Sequence, residues 1–167
     1  MPKINLNLSS SSIDKAIKQI KQYQDKVKNA AETIEMRLAE EAVKDINNTL
    51  SGITDTDGNA IGETGYEKVG DKIIVYNRGP QVAFICYGTG AAGKSSPHPQ
   101  AGQSGWAYDI GKKIKVSKSG KRQWRYYDKI KGHWRVTSGM PAQMQVLKAA
   151  MKIRKMAREI AKEVMQE

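Results

Sequence analysis

The sequence predicts an α+β fold: a long N-terminal helix, a small and mainly antiparallel β-sheet carrying a long Gly/Pro loop, and a C-terminal helix packed on the sheet. Three observations predict it. Residues 12–50 hold no glycine or proline and place apolar residues at helical spacing. Residues 66–136 divide into short runs separated by Gly-containing turns. Residues 141–166 return to a helical period behind Pro141, a residue suited to a first turn. A chain of 167 residues supports one domain with a real core, and we take 1–167 as a single domain.

Residues 3–8 alternate, with Ile4, Leu6 and Leu8 on one side, as a short half-buried strand does. Ser11 and Asp14 have capping-box spacing, so a helix is expected to start near Ser12. Its apolar stripe runs through Ile13, Ile17, Ile20, Val27, Ile34 and Leu38 and continues to Ala42, Ile46 and Leu50. Unbroken, such a helix is roughly 58 Å long. A compact small domain does not accommodate that length, so the expectation is a break around 26–30 or a helix that projects toward a neighbour.

Residues 51–65 form a loop. Asp55, Asp57 and Asn59 around Gly58 bear a faint likeness to a calcium loop, but the ligand positions and the late glutamate do not match, and turn chemistry explains them better. Strands are expected over 66–69 and 72–77 around a Gly70-Asp71 turn, with a third over 82–87. Trp106, Tyr108 and Ile110 alternate, and hairpin strands are expected over 112–116, 123–127 and 133–136. The closing helix carries a stripe of Val146, Ala150, Ile153, Ala157, Ile160 and Val164.

The segment after residue 87 contains Gly88-Thr-Gly-Ala-Ala-Gly93-Lys94-Ser95, a letter-for-letter match to a phosphate-binding loop. That chemistry needs a helix opening at the Lys-Ser pair, its N–H groups facing the anion. Pro97, Pro99, Gly102 and Gly105 deny the chain such a helix, and no βαβ unit surrounds the match. A nucleotide binder therefore stays a minor alternative, and the long 88–105 loop reads as a conformational or assembly element closed by Trp106.

The net charge is +11, which favours a polyanionic contact or a solvated basic surface. The bases crowd residues 112–135, where Asp128 is the one acid. Lys112, Lys113, Lys115, Lys118, Lys121, Arg122 and Arg125 are the candidate DNA-facing residues, interleaved with Trp124, Tyr126, Tyr127 and Trp134. The competing reading is a two-faced hairpin with its aromatics packed inward. Cys86 stands alone, which leaves no disulfide framework or cysteine zinc site. His98 and His133 have no ligand or triad partner at a suitable spacing, and no carboxylate pair or serine elbow appears. We therefore expect no enzyme activity, no cofactor and no metal. There is no signal-peptide pattern and no apolar run of membrane-spanning length, so the expectation is a soluble protein made in a reducing cytoplasm.

Four motifs, taken together and in order, resemble a known family. Tyr87-Gly-Thr-Gly90, Pro97-His-Pro-Gln-Ala-Gly102, Gly105-Trp-Ala-Tyr-Asp109 and Trp134-Arg-Val-Thr-Ser-Gly-Met-Pro-Ala142 are similar to segments of the neck, or head–tail joining, proteins of long-tailed double-stranded-DNA phages. One departure is Gln143-Met-Gln145, where that family commonly has an aromatic-containing segment. The resemblance implies a structural virion protein assembled in the host cytoplasm, in a ring of six or twelve copies. It implies contacts with a portal-side or head-closure protein and with a tail-tube or tail-terminator protein, and DNA passing through the lumen. Gly88, Gly90, Pro97, His98, Pro99, Trp106 and Tyr108 are then expected as loop-conformation or subunit-interface residues. A basic nucleic-acid-binding module built on 112–135 remains the alternative.

Overall fold

The computed structural model describes residues 9–55, 57–108 and 115–166. The expected strand over 3–8, and Lys112 and Lys113, lie outside the described residues. The architecture is α+β, built on one long helix.

Helix α1 is Ser10–Leu50, 41 residues without a break. Of the two outcomes expected, a break around 26–30 or a helix that projects, the break does not occur. Nothing in the stretch removes an amide donor or crowds a carbonyl, so the helical hydrogen-bond ladder has no reason to stop. Its start lies two residues earlier than the Ser11–Asp14 spacing suggested: Ser9 is the N-cap, and its Oγ accepts from the Ser12 N–H at 3.3 Å.

Strands β1 (Glu63–Val69) and β2 (Lys72–Arg78) form an antiparallel hairpin that lies against α1, with Val69 opposite Lys72 across the Gly70-Asp71 turn. The next run corrects the expectation. Val82–Tyr87 is helix α2, not a strand, with Val82 and Ile85 buried one helical step apart. A six-residue apolar run has no period that separates the two readings, and burial on one side decided it. A second short helix, α3 (Gly90–Ser95), lies inside the expected loop.

The basic half forms β3 (Lys115–Val116), β4 (Arg122–Asp128) and β5 (His133–Thr137), an antiparallel sheet in that order. The one expected sheet is therefore two, because α2 and α3 occupy the position of its central strand. Trp106 to Tyr108 form no strand. A two-residue strand, β6 (Gly139–Met140), bridges back to Thr89 and Gly90.

Helix α4 is Gln145–Gln166 and runs antiparallel along α1: Lys152 pairs with Asp45 at 2.7 Å, and Glu163 pairs with Arg37 at 2.7 Å. Pro141 stays outside it because residues 139–144 are engaged with α2 and α3. The face α4 buries passes through Gln145, Ala149, Ile160 and Val164, so Val146 and Ala150, expected inside, are exposed. Exposed ion pairs add little, and the helix pair rests on apolar contact. One cluster joins Ala30, Ile160 and Val164 with Ile34, Leu38 and Met156. The other gathers Ile46, Leu50, Ile61, Val82, Ile85 and Ala149 at the C-terminal end of α1, where α2 attaches. Among the described residues no helix is long and apolar enough to cross a membrane.

Candidate functional site

The four motifs that carry the family resemblance converge on the α2–α3 corner. Gly88 and Gly90 make the corner. Gly88 has φ +81°, and a Cβ there would sit 2.7 Å from the Ala142 nitrogen and 2.8 Å from the Met140 carbonyl oxygen. Gly90 has φ +60°, and a Cβ would lie 2.6 Å from both the Ser138 carbonyl oxygen and the Trp124 ring. Both glycines thus admit other parts of the protein at close range in a backbone region that other residues avoid.

Around this corner the aromatic residues stack. The Trp106 ring lies on Tyr87 at 5.2 Å between centroids and meets Phe84 edge-on at 5.5 Å, while Tyr87 contacts His98 at 4.7 Å. The Trp106 indole N–H donates to the Gly88 carbonyl at 3.0 Å. His98 is buried, and its Nδ1 accepts from the Gln100 N–H at 3.1 Å. Histidine therefore serves the loop's own packing here. Pro97 and Pro99 flank it and are exposed. From the other end of the chain, the Ala92 N–H donates to Ser138 O, the Met140 N–H to Thr89 Oγ1, and the Ala142 N–H to Ser96 O.

Residues 143–145, where the chain departs from the family pattern, have a defined local role. The N–H groups of Gln143 and Met144 donate to the carbonyls of Ile85 and Cys86, acceptors that the end of α2 leaves open. Met144 adopts φ 55° to do so. Gln145 is fully buried, and its amide donates to Asn77 Oδ1 at 3.2 Å, tying α4 to the β1–β2 hairpin. No pattern in the sequence marks this glutamine; it occupies the position where a helical stripe would place an apolar residue. Cys86 is half-buried, and burial pushes its thiol pKa up from 9.0, which keeps it protonated.

The phosphate-loop match fails on polarity. Lys94 and Ser95 lie at the C-terminal end of α3, where the helix presents carbonyls and its negative end. At its other end the Gly90 and Ala92 N–H groups are already committed to Tyr108 O and Ser138 O, both at 3.0 Å. Preceding the glycines is a helix, not a strand. Beside α3 lies an open cleft of about 540 Å³, lined by Lys94, Ser95, Tyr108, Arg122 and Trp124 among others, with two bases and no acid among the described residues. The Tyr108 hydroxyl is buried there without a hydrogen-bond partner among the described residues.

The basic sheet has two unlike faces. Trp124 and Asp128 are buried and Tyr126 half-buried on the inner side, as the two-faced hairpin reading expects. The outer side departs from it. Tyr127 and Trp134 are cross-strand partners with rings 5.7 Å apart, and they are 46% and 65% exposed. Arg125, opposite Val136, and Lys115, opposite Gln123, occupy the same outer face and are exposed. Lys118, Lys121 and Arg122 are exposed too. None of these bases has an ion-pair partner among the described residues.

Asp128 closes the β4–β5 turn. Its carboxylate accepts from the Lys131 N–H at 3.0 Å and from Arg135 Nη1 at 3.2 Å. The Lys131 N–H first, and then Arg135, hold its pKa below the ordinary 3.8. Because the folded value is depressed, the stabilisation is present above 3.8 and lost as pH falls through the lower folded value. An Asp128→Asn variant is thus expected to lose less melting temperature than the parent between about pH 5 and pH 2, measured by thermal melts at stepped pH.

Asp55 behaves as a turn residue. Its Oδ1 accepts from the N–H groups of Asp57 at 2.8 Å and Asn59 at 2.9 Å, while Asp57 pairs with Lys129 at 2.8 Å. Against known protein families, curated proteins and solved structures, the chain gives no match.

Proposed function

We propose that this chain is a structural subunit of a phage neck, one copy of a ring that joins the DNA-filled head to the tail tube. The observation that carries the reading is the convergence of the four family-like motifs. Spread from Tyr87 to Ala142, they pack into one corner through Trp106, Gly88, Thr89 and Met140. Their residues are spent on stacking and backbone closure, which suits a rigid assembly element. In this reading the ring meets a head-closure or portal-side protein on one face and a tail-tube or terminator protein on the other, and the unpaired bases face passing DNA. The test is proteomic analysis of purified particles together with imaging of particles from a strain lacking the chain. The expected result is the chain present in virions, and separated heads and tails without it. Its absence from intact particles would overturn the reading.

The outer face of the β3–β5 sheet favours a second reading, a nucleic-acid-binding module. Exposed Tyr127 and Trp134 beside Arg125 and Lys115 supply stacking and phosphate contact on one surface. Under this reading Trp134→Ala weakens binding of a labelled single-stranded oligonucleotide by about tenfold, and the parent's affinity falls steeply with salt. No binding by the parent at low salt sinks it.

A further inference from the structure

We propose that the N-terminal half of α1 is a docking arm for a second copy of this chain, received by the acidic C-terminal half of that copy's α1. The inference deepens the ring reading and rests on it for biological setting, though not for its physical argument.

The arm follows from where α4 stops. Val164, near the end of α4, packs at Ala30 of α1. The residues of α1 before about position 27 therefore project past their partner helix, by roughly 25 Å at the helical rise. The stripe that α4 covers runs through Ala30, Ile34 and Leu38, and an apolar row that shares Ile34 and Leu38 with it continues onto this projection. Ile13, Ile17, Ile20, Gln24, Val27, Ala31, Ile34 and Leu38 are spaced alternately four and three residues apart, the spacing of a helix–helix seam. On the α4 side Ile34 and Leu38 of this seam lie against Ile160 and Val164, while Ala31 is exposed. On the projection it is open, with Ile13, Ile17, Ile20, Tyr23 and Val27 between 38% and 47% exposed and only Ala16 buried. A seam half occupied by one helix of the fold is shaped to take another helix on the remaining half.

Charge selects the occupant. Residues 10–28 carry five lysines against two aspartates, and Lys21 and Lys28 border the open seam. Residues 29–50 carry five acids against two bases; Glu32, Glu41 and Asp45 pair with Lys68, Lys44 and Lys152, and Glu35 and Glu40 have no ion-pair partner among the described residues. Two arms laid together would set lysine against lysine. An arm laid on the other half of α1 sets lysine against glutamate, and that half offers one exposed apolar side chain to receive it: Met36 is 47% exposed, flanked by exposed Glu35 and Glu40. The contact joins two different surfaces of the same chain. Each copy therefore gives an arm and receives one, which closes a ring or extends a filament rather than stopping at a dimer.

Sedimentation velocity of the purified full chain tests this. The parent is expected to associate in a concentration-dependent way. Ile17→Lys with Ile20→Lys is expected to shift the association midpoint upward by about tenfold or more while helical content by circular dichroism stays unchanged. Lys21→Glu with Lys28→Glu should weaken association too, and adding Glu35→Lys and Glu40→Lys to that variant should restore it. A parent that stays monomeric, or arm variants that associate as the parent does, overturns the proposal. Failure of the charge exchange to restore association also overturns it, since the arm then meets a surface other than the acidic half of α1. These outcomes are separate from the particle analysis: a chain that associates through its arm yet is absent from virions keeps this inference and loses the neck reading.

Discussion

Replacing Gly90 by valine is expected to lower the melting temperature by about 6–12 °C, roughly 3 kcal/mol at this chain length, with no ligand present. Two costs add. The residue sits at φ +60°, a conformation that β-branched side chains avoid. Its Cβ would also meet the Ser138 carbonyl and the Trp124 ring, both at 2.6 Å, and Trp124 has no space to retreat because it is itself buried. Lys94→Ala, four residues on, is exposed and unpaired among the described residues and is expected to change stability by less than about 0.5 kcal/mol. Thermal melts of the two variants check the contrast. A phosphate loop gives the opposite ranking of importance, with the lysine decisive for ligand and the glycine for access. A Gly90→Val protein as stable as its parent would show that the corner is not packed as described.

Ile46→Ala is the second change with a large expected effect. Ile46 is 1% exposed at the centre of the cluster that joins α1, α2 and the start of α4. Truncation removes burial and leaves a cavity, a loss of about 2–5 kcal/mol, which lowers the melting temperature by about 5–15 °C. Ile17→Ala removes the same atoms from the same helix, but from the open part of the stripe, and is expected to change the stability of the isolated subunit by under about 1 kcal/mol. Chemical denaturation of both variants at concentrations below association measures the difference. Equal losses would mean that the arm is covered within the single chain.

The sequence made some of this fold legible and hid the rest for physical reasons. The extent of α1 was readable because nothing in it opposes helix; the break, one of the two outcomes expected, came from an argument about domain size that a projecting helix does not obey. The β1–β2 hairpin was readable because Gly70-Asp71 is a local turn signal that needs no tertiary help. Helix α2 was misread because Val82 to Tyr87 are apolar without a period. Helix α3 was invisible because Gly90 and Gly93 disfavour helix, and it persists through bonds from Gly90 and Ala92 to distant carbonyls. The start of α4 moved from Pro141 to Gln145 because residues 139–144 are held by partners more than forty positions away, which no local pattern announces. At the site, the sequence singled out His98 and Trp106 but not Phe84 and Tyr87 as the rings they pack on; those contacts, and the burial of His98, depend on the corner at Gly88.

The antiparallel pairing of α1 with α4 also sets the order in which the chain can finish folding. Helix α1 is complete at Leu50, whereas its partner begins only at Gln145. At synthesis rates of about 5–20 residues per second, the stripe from Ala30 to Leu50 waits on the order of 5–20 s for its cover. Native closure here is a non-local event joining the two ends of the chain, the kind that folds late. During that interval the nascent helix presents its longest apolar surface, and an α4 from a neighbouring chain on the same polysome meets it on equal terms with its own. Domain exchange and aggregation thus have their opening at the last step of synthesis.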